Sequence, residues 1–144
     1  MSTTQIPTRT TPNTRATARQ PLWKHGIAAA VLAATATTVL AAIASAAGVS
    51  FADHTGPSIP IAGFAQLTLL FSLVGIAIAA IMARKARRPR ATFVRTAVVL
   101  TALSFVPDLT FGFDAGSAVI LIALHTVAAV IVVPTLAMRL ASTR

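Results

Sequence analysis

The sequence has no cysteine and no glutamate, so its three aspartates are its only acidic residues. Without cysteine, disulfide scaffolds, thiolate nucleophiles, Cys-ligated zinc sites and iron–sulfur clusters are all excluded. Charge of either sign is scarce, since 10% of the 144 residues are charged, compared with about 25% in an ordinary soluble domain. The composition therefore excludes a typical soluble globular protein, and the length allows one compact domain.

Apolar residues are concentrated in four blocks, at residues 26–48, 59–83, 96–113 and 117–140. Hydrophobic residues make up 56% of the chain, and the mean hydropathy is +0.80. A helix needs roughly 20 residues to cross the hydrocarbon core of a bilayer. The first, second and fourth blocks meet this length without an interior charge, whereas the third is shorter and contains Asp108. Because the connections are short, we predict an all-α membrane protein, an antiparallel up-down-up-down bundle of four transmembrane helices.

The first 22 residues are polar, with many threonines, arginines and prolines. Such a segment cannot bury enough apolar surface to offset its ordering entropy, so we predict a disordered cytoplasmic tail at 1–22 and a transmembrane domain at 23–141. An alternative is that the first apolar block is a cleaved signal peptide, because Ala44, Ser45 and Ala46 have the small-residue form of a cleavage site. Its length of more than twenty residues favours a retained helix, since the apolar region of a signal peptide is about 7–15 residues long.

Basic residues fall on one side of this four-span topology. They precede the first span, link the second to the third, and follow the fourth; they are Arg9, Arg15, Arg19, Lys24, Arg84, Lys85, Arg87, Arg88, Arg90, Arg95, Arg139 and Arg144. The opposite side holds Asp53, His54 and Asp114. Because short loops rich in Lys and Arg remain in the cytoplasm, we predict a multi-pass protein of the cytoplasmic membrane with both termini inside.

A sequence pI near 12 would suggest nucleic-acid binding in a soluble protein, but here every basic residue lies in a tail or beside a span. We therefore expect no nucleic-acid partner; the basic loop serves to anchor the topology at anionic headgroups, and a dedicated lipid or protein partner is the alternative. Each cation near the surface contributes about 1 kcal/mol of attraction to anionic headgroups. The candidate anionic-lipid contacts are Arg84, Lys85, Arg87, Arg88, Arg90 and Arg95.

Polar side chains inside the spans are costly in lipid and are therefore candidates for function. At a rise of 1.5 Å per residue from the outer ends of the spans, Gln66, Asp108 and His125 lie about 9, 7 and 12 Å deep. We predict that these three form an interior polar cluster in the outer leaflet, edged by Ser104 and Ser45. Asp108 and His125 would be hydrogen-bonded or ion-paired.

Two roles for this cluster remain open. In the first, Asp108 and His125 satisfy each other and fix the register of two helices. In the second, they line a small site for a proton, cation or polar ligand, as in a component of an oligomeric transporter or channel. Enzymatic chemistry has little support, because no nucleophile-elbow sequence surrounds Ser104. The histidines and aspartates also lack the spacing of a metal site, so we expect no metal and no cofactor.

Short motifs around these polar residues resemble a family. The segments Val106-Pro107-Asp108-Leu109, Leu124-His125-Thr126 and Val133-Pro134 are similar to those of small actinobacterial membrane proteins that form a family of unknown function. The resemblance covers about residues 26–140 and implies a four-helix integral membrane protein, with no site residue to carry over. We therefore expect an accessory or structural protein of a bacterial inner membrane, with a membrane-protein partner or a second copy of itself.

Overall fold

The computed structural model describes residues 22–54 and 56–141, which contain four helices and no strand. The helices are α1 (Leu22–Ala46), α2 (Ile61–Lys85), α3 (Pro89–Thr110) and α4 (Ala115–Ala141). Each is long and apolar enough to cross a membrane. The predicted all-α class with four membrane-spanning helices is thus confirmed. The tail predicted at 1–22 lies outside the described residues, except for Leu22, which begins α1.

Three helices begin earlier than their apolar blocks indicated; α4 begins at Ala115 instead of residue 117, and the other two differ by more. α1 begins at Leu22 instead of residue 26, and α3 begins at Pro89 instead of residue 96. Proline fits the first position of a helix because the N–H group it lacks would have had no helical partner there. The basic run predicted as a loop at 84–95 is therefore mostly helical, and its non-helical part is confined to residues 86–88.

The end of α1 is set by a glycine in the left-handed conformation. Gly48 has φ +96°, and its N–H donates to the Ser45 carbonyl while the Val49 N–H donates to the Ala44 carbonyl, both at 3.0 Å. This pair of bonds is a Schellman motif, which satisfies the last helical carbonyls and turns the chain out of the helix. The loop that follows, at residues 47–60, returns the chain to α2.

α1 is the most buried of the four helices, and α3 is the least buried. α1 packs against both α2 and α4, and α3 packs mainly against α4. Small residues allow this close approach. A Cβ added at Gly26 of α1 would lie 2.7 Å from Cγ1 of Ile76 on α2 and 3.3 Å from Cδ2 of Leu136 on α4. An alanine at this position would therefore force the Ile76 side chain to shift where these three helices meet.

The apolar core consists of two clusters, one in each half of the bundle. We call the half with the α2–α3 connection the inner half and the half with the other two connections the outer half. The inner cluster draws on all four helices, through Ala29, Ala33, Ile76, Ala79, Phe93, Val132, Leu136, Ala137 and Leu140. The outer cluster draws on α1, α2, α4 and the loop after α1, through Ala41, Ala44, Phe51, Phe64, Leu121 and Leu124. No residue of α3 belongs to this outer cluster. In the outer half, α3 must therefore be held to the bundle by other contacts.

Candidate functional site

An aspartate and a histidine meet between α3 and α4 in the outer half of the bundle. Nδ1 of His125 lies 3.1 Å from Oδ2 of Asp108. The Asp108 side chain is 7% exposed and the His125 side chain is 40% exposed, so the carboxylate is enclosed while part of the imidazole reaches the surface of the bundle. The two residues are thus at ion-pair distance and join α4 to the part of α3 that contributes nothing to the outer apolar cluster.

The imidazole Nδ1 has a second neighbour on its own helix. The Leu121 carbonyl oxygen lies 3.0 Å from it, one helical turn earlier in α4. When Nδ1 carries a proton, this carbonyl and the Asp108 carboxylate compete for it. Oδ2 of Asp108 is buried and has no aligned hydrogen-bond donor among the described residues, although Nδ1 is close. The two side chains therefore form an ion pair only when the imidazole is protonated, and burial of the carboxylate without such a partner is costly.

α3 contacts the histidine ring at a second point. The Phe105 ring lies edge-on to the His125 ring, with 6.5 Å between centroids and 69° between planes. Pro107 stands between Phe105 and Asp108 and removes one backbone N–H from the helix. The Ser104 hydroxyl donates to the Thr101 carbonyl at 2.6 Å, so the hydrogen bond of this serine lies within α3.

The other members of the predicted cluster lie elsewhere. Gln66 on α2 and Ser45 on α1 are both exposed at the surface of the bundle, and neither side chain hydrogen-bonds to Asp108 or His125. The polar contact between α1 and α2 is instead made by Thr37 and Thr68, whose hydroxyl oxygens are 3.0 Å apart. Sequence analysis missed this pair.

A second polar cluster, which we call the outer cap, joins the loop after α1 to the start of α4. Asp114 precedes α4, and its carboxylate accepts the Ser117 N–H at 3.0 Å and the Ser117 hydroxyl at 2.5 Å. The Ser50 hydroxyl also donates to it, at 3.3 Å. Led by the Ser117 hydroxyl bond, these contacts hold the pKa of Asp114 below its usual value. The carboxylate thus caps the N-terminus of α4 in its charged form.

Phe51 fills the space beneath the outer cap. Its backbone N–H donates to the Ser117 hydroxyl oxygen at 3.1 Å, and its carbonyl accepts the Ile59 N–H at 3.1 Å. Its φ of +52° is uncommon for a residue with a large side chain. The ring is 1% exposed and packs edge-on against Phe64, with centroids 5.0 Å apart. Burial of this ring offsets the strain of its backbone.

The basic residues in and around the connection of α2 to α3 divide into two groups of three. Arg88, Arg90 and Arg95 line a groove between the start of α3 and the end of α4, whereas Arg84, Lys85 and Arg87 do not line it. All six are exposed. At the same end of the molecule, the Lys24 ammonium lies 5.8 Å from the centroid of the Trp23 ring. Within residues 22–54 and 56–141, no group of three or more His or Asp side chains is arranged to hold a metal ion.

Comparison with known proteins assigns the chain to a family. No curated protein and no solved structure matches it. One family model, whose description reads "Family of unknown function (DUF6069)", matches residues 17–142 and so includes all four helices. The predicted resemblance to a family of unknown function is confirmed, and its four apolar helices identify a multi-pass membrane protein. The chain belongs to DUF6069, a family of unknown function.

Proposed function

We propose that this protein is an accessory, structural component of a bacterial cytoplasmic membrane, and that its Asp108–His125 pair holds α3 in place. The supporting observation is the position of the pair. α3 contributes no residue to the outer apolar cluster, and Asp108 and Phe105 of α3 both contact His125 on α4. Interhelical polar contacts of this kind stabilise helix packing in lipid, where apolar surface gives little preference for one neighbour over another.

This role predicts that the pair is needed for folding and is closed to water. Asp108→Asn and His125→Ala should each lower the yield of monodisperse protein. The chain contains no native cysteine, so Asp108→Cys and the surface control Ser58→Cys each introduce a unique thiol. A charged, membrane-impermeant maleimide should label Ser58→Cys in intact cells and leave folded Asp108→Cys unlabelled. Normal yield of both pair variants would contradict the structural role.

A transporter or channel component is the alternative function. The observation in its favour is the His125 side chain, which is 40% exposed although its carboxylate partner is enclosed. In an oligomer, this edge of the imidazole would face a neighbouring protomer or a path between protomers. The same experiment distinguishes the two functions, because a conducting path requires the thiol of Asp108→Cys to react with the water-soluble maleimide.

The proposed orientation places both ends of the chain in the cytoplasm. It is supported by the charges that flank the helices, since the short connection between α2 and α3 is basic while Asp53 and Asp114 lie in the other two connections. In intact cells, the impermeant maleimide should label Ser58→Cys in the loop after α1, and should label Arg87→Cys only after permeabilisation. The reverse labelling pattern would show that the bundle has the opposite orientation in the membrane.

We propose no enzymatic activity and no cofactor. A hydrolase built from Ser104, His125 and Asp108 would need the serine hydroxyl to donate to the imidazole. Here that hydroxyl donates to the Thr101 carbonyl, and the imidazole Nδ1 lies between Asp108 and the Leu121 carbonyl. This arrangement supports a structural role.

A second copy of the chain, or another membrane protein, is proposed as partner at the surface of α2. The support is Gln66, a large amide exposed on the outer half of a helix whose neighbouring surface is apolar. Apolar side chains on that surface are satisfied by lipid, so they indicate no partner by themselves. An amide without a hydrogen-bond partner costs a few kcal/mol in hydrocarbon, and a polar group on a second helix removes that cost.

A further inference from the structure

The inner end of the bundle carries positive charge that no acidic side chain of the chain can neutralise. Asp53 and Asp114 lie in the outer loops, and Asp108 lies about 20 Å along α3 from Arg95, the basic residue nearest to it on that helix. No other acidic residue exists in the sequence. Arg88, Arg90 and Arg95 are therefore far from every acidic side chain of the chain and are available to bind an external anion.

Three of these arginines surround one groove. The groove has a volume of about 580 Å³, within the range of ligand sites. Arg88, Arg90 and Arg95 supply its charge, and Val94 and Leu140 contribute apolar walls. Leu140 is 1% exposed and belongs to the inner apolar cluster, so the apolar wall is part of the packed bundle. The groove thus combines an apolar wall that belongs to the packed bundle with an exposed basic rim.

Its place in the fold puts the groove at the edge of the membrane. It lies where α3 begins, at Pro89, and where α4 ends, at Ala141, which are the ends of two helices long and apolar enough to cross a membrane. A ligand that suits this position is anionic at one end and apolar at the other. Guanidinium groups bind phosphate oxygens in a bidentate manner and are more weakly hydrated than ammonium groups.

We propose that this groove is a binding site for one anionic phospholipid. Arg88, Arg90 and Arg95 bind the phosphodiester headgroup, while Val94 and Ala141 contact the glycerol and the first carbons of an acyl chain. Arg84, Lys85 and Arg87 attract anionic lipid through their charge without contacting this molecule. The site would bind lipid in either orientation of the bundle, so it stands or falls separately from the proposed topology.

The division of the basic residues into two groups of three provides a matched control. The groove variant carries Arg88→Gln, Arg90→Gln and Arg95→Gln, and the control variant carries Arg84→Gln, Lys85→Gln and Arg87→Gln. Both lose three positive charges from the same short segment, and all six side chains are exposed. The full-length protein in nanodiscs of phosphatidylcholine would be titrated with phosphatidylglycerol, and retained lipid would be counted by native mass spectrometry after release into detergent.

Only the groove variant should lose tight binding of a single phosphatidylglycerol molecule. At about fivefold per arginine, its affinity should fall about a hundredfold, and the single substitution Arg95→Gln should lower it about fivefold. The control variant should lose far less. Equal losses in the two triple variants would show a diffuse charge effect and overturn the site. Displacement of the lipid by millimolar inorganic phosphate would also overturn it, because the groove would then be a site for free anions.

Discussion

Phe51 and Ser117 are 66 positions apart in the sequence, yet the backbone N–H of Phe51 donates to the hydroxyl of Ser117 inside the protein. The same hydroxyl donates to the Asp114 carboxylate. One buried side chain therefore connects the loop after α1 to the N-terminus of α4. This connection closes the outer end of the bundle around the Phe51 ring. This is the half of the bundle in which α3 contributes no residue to the apolar cluster.

Substitution of Ser117 should open the outer cap. Ser117→Ala removes the acceptor of the Phe51 N–H and leaves that group buried without a partner, which costs about 1–3 kcal/mol. The Ser117 N–H can still bond to Asp114, so α4 should remain helical. We expect the free energy of unfolding in detergent to fall by this amount, measured by denaturant titration followed by circular dichroism. The exposed loop residue Ser58 is the control, and an equal effect of Ser58→Ala would contradict the role of the cap.

Acid should weaken the same cap through Asp114. Hydrogen bonds from Ser117 hold the folded-state pKa of this carboxyl below its usual value of 3.8. Its contribution to stability is therefore complete above pH 3.8 and is lost as the pH falls through the lower folded-state pKa. In Asp114→Asn this part of the acid dependence should be absent. Thermal unfolding between pH 2 and pH 6 would measure the difference between the two proteins, and parallel curves would exclude Asp114 as the source.

The pair between α3 and α4 should show an interaction energy in a double-mutant cycle. Asp108→Asn and His125→Ala should each destabilise the bundle, and the double variant should lose less than the sum. Polar contacts between transmembrane helices give coupling energies of about 0.6 kcal/mol on average, and we expect about 1 kcal/mol because the carboxylate is enclosed. Thr126 is the control partner, since its hydroxyl donates to the Ile122 carbonyl of its own helix. Additive effects at Asp108 and His125 would show that their proximity does not stabilise α3.

Sequence analysis predicted the depth of the polar side chains along the helices better than it predicted which face of each helix points into the bundle. Counting residues from the loop ends placed Asp108 and His125 in one layer, and the structure joins them. The same count placed Gln66 in that layer, but on α2 it lies at the surface. α2 is apolar on all sides, so its sequence has no periodicity that distinguishes an inward face from a lipid-facing one.

The contacts of the outer cap could not be predicted from the sequence, for a different reason. Its contacts join residues far apart in the chain, and Phe51 adopts a left-handed backbone conformation that no local pattern predicts for a phenylalanine. The capping role of Asp114 could have been predicted, because an aspartate just before an apolar block is typical of a helix N-cap. The start of α3 could also have been predicted, because proline, here Pro89, is common at the first position of a helix.

Cross-linking at Gln66 tests whether a second copy of the chain covers this part of α2. Gln66→Cys provides a single thiol in a chain without native cysteine. If two copies meet at this amide, oxidation with copper phenanthroline in native membranes should give a disulfide-linked dimer. Phe71→Cys is the control, because Phe71 is also exposed on α2 but lies about 140° around the helix from Gln66. Dimer at Gln66→Cys alone would support self-association through this face. Equal dimer at both positions would indicate random collision, and its absence at both would leave a different membrane protein as the proposed neighbour of Gln66.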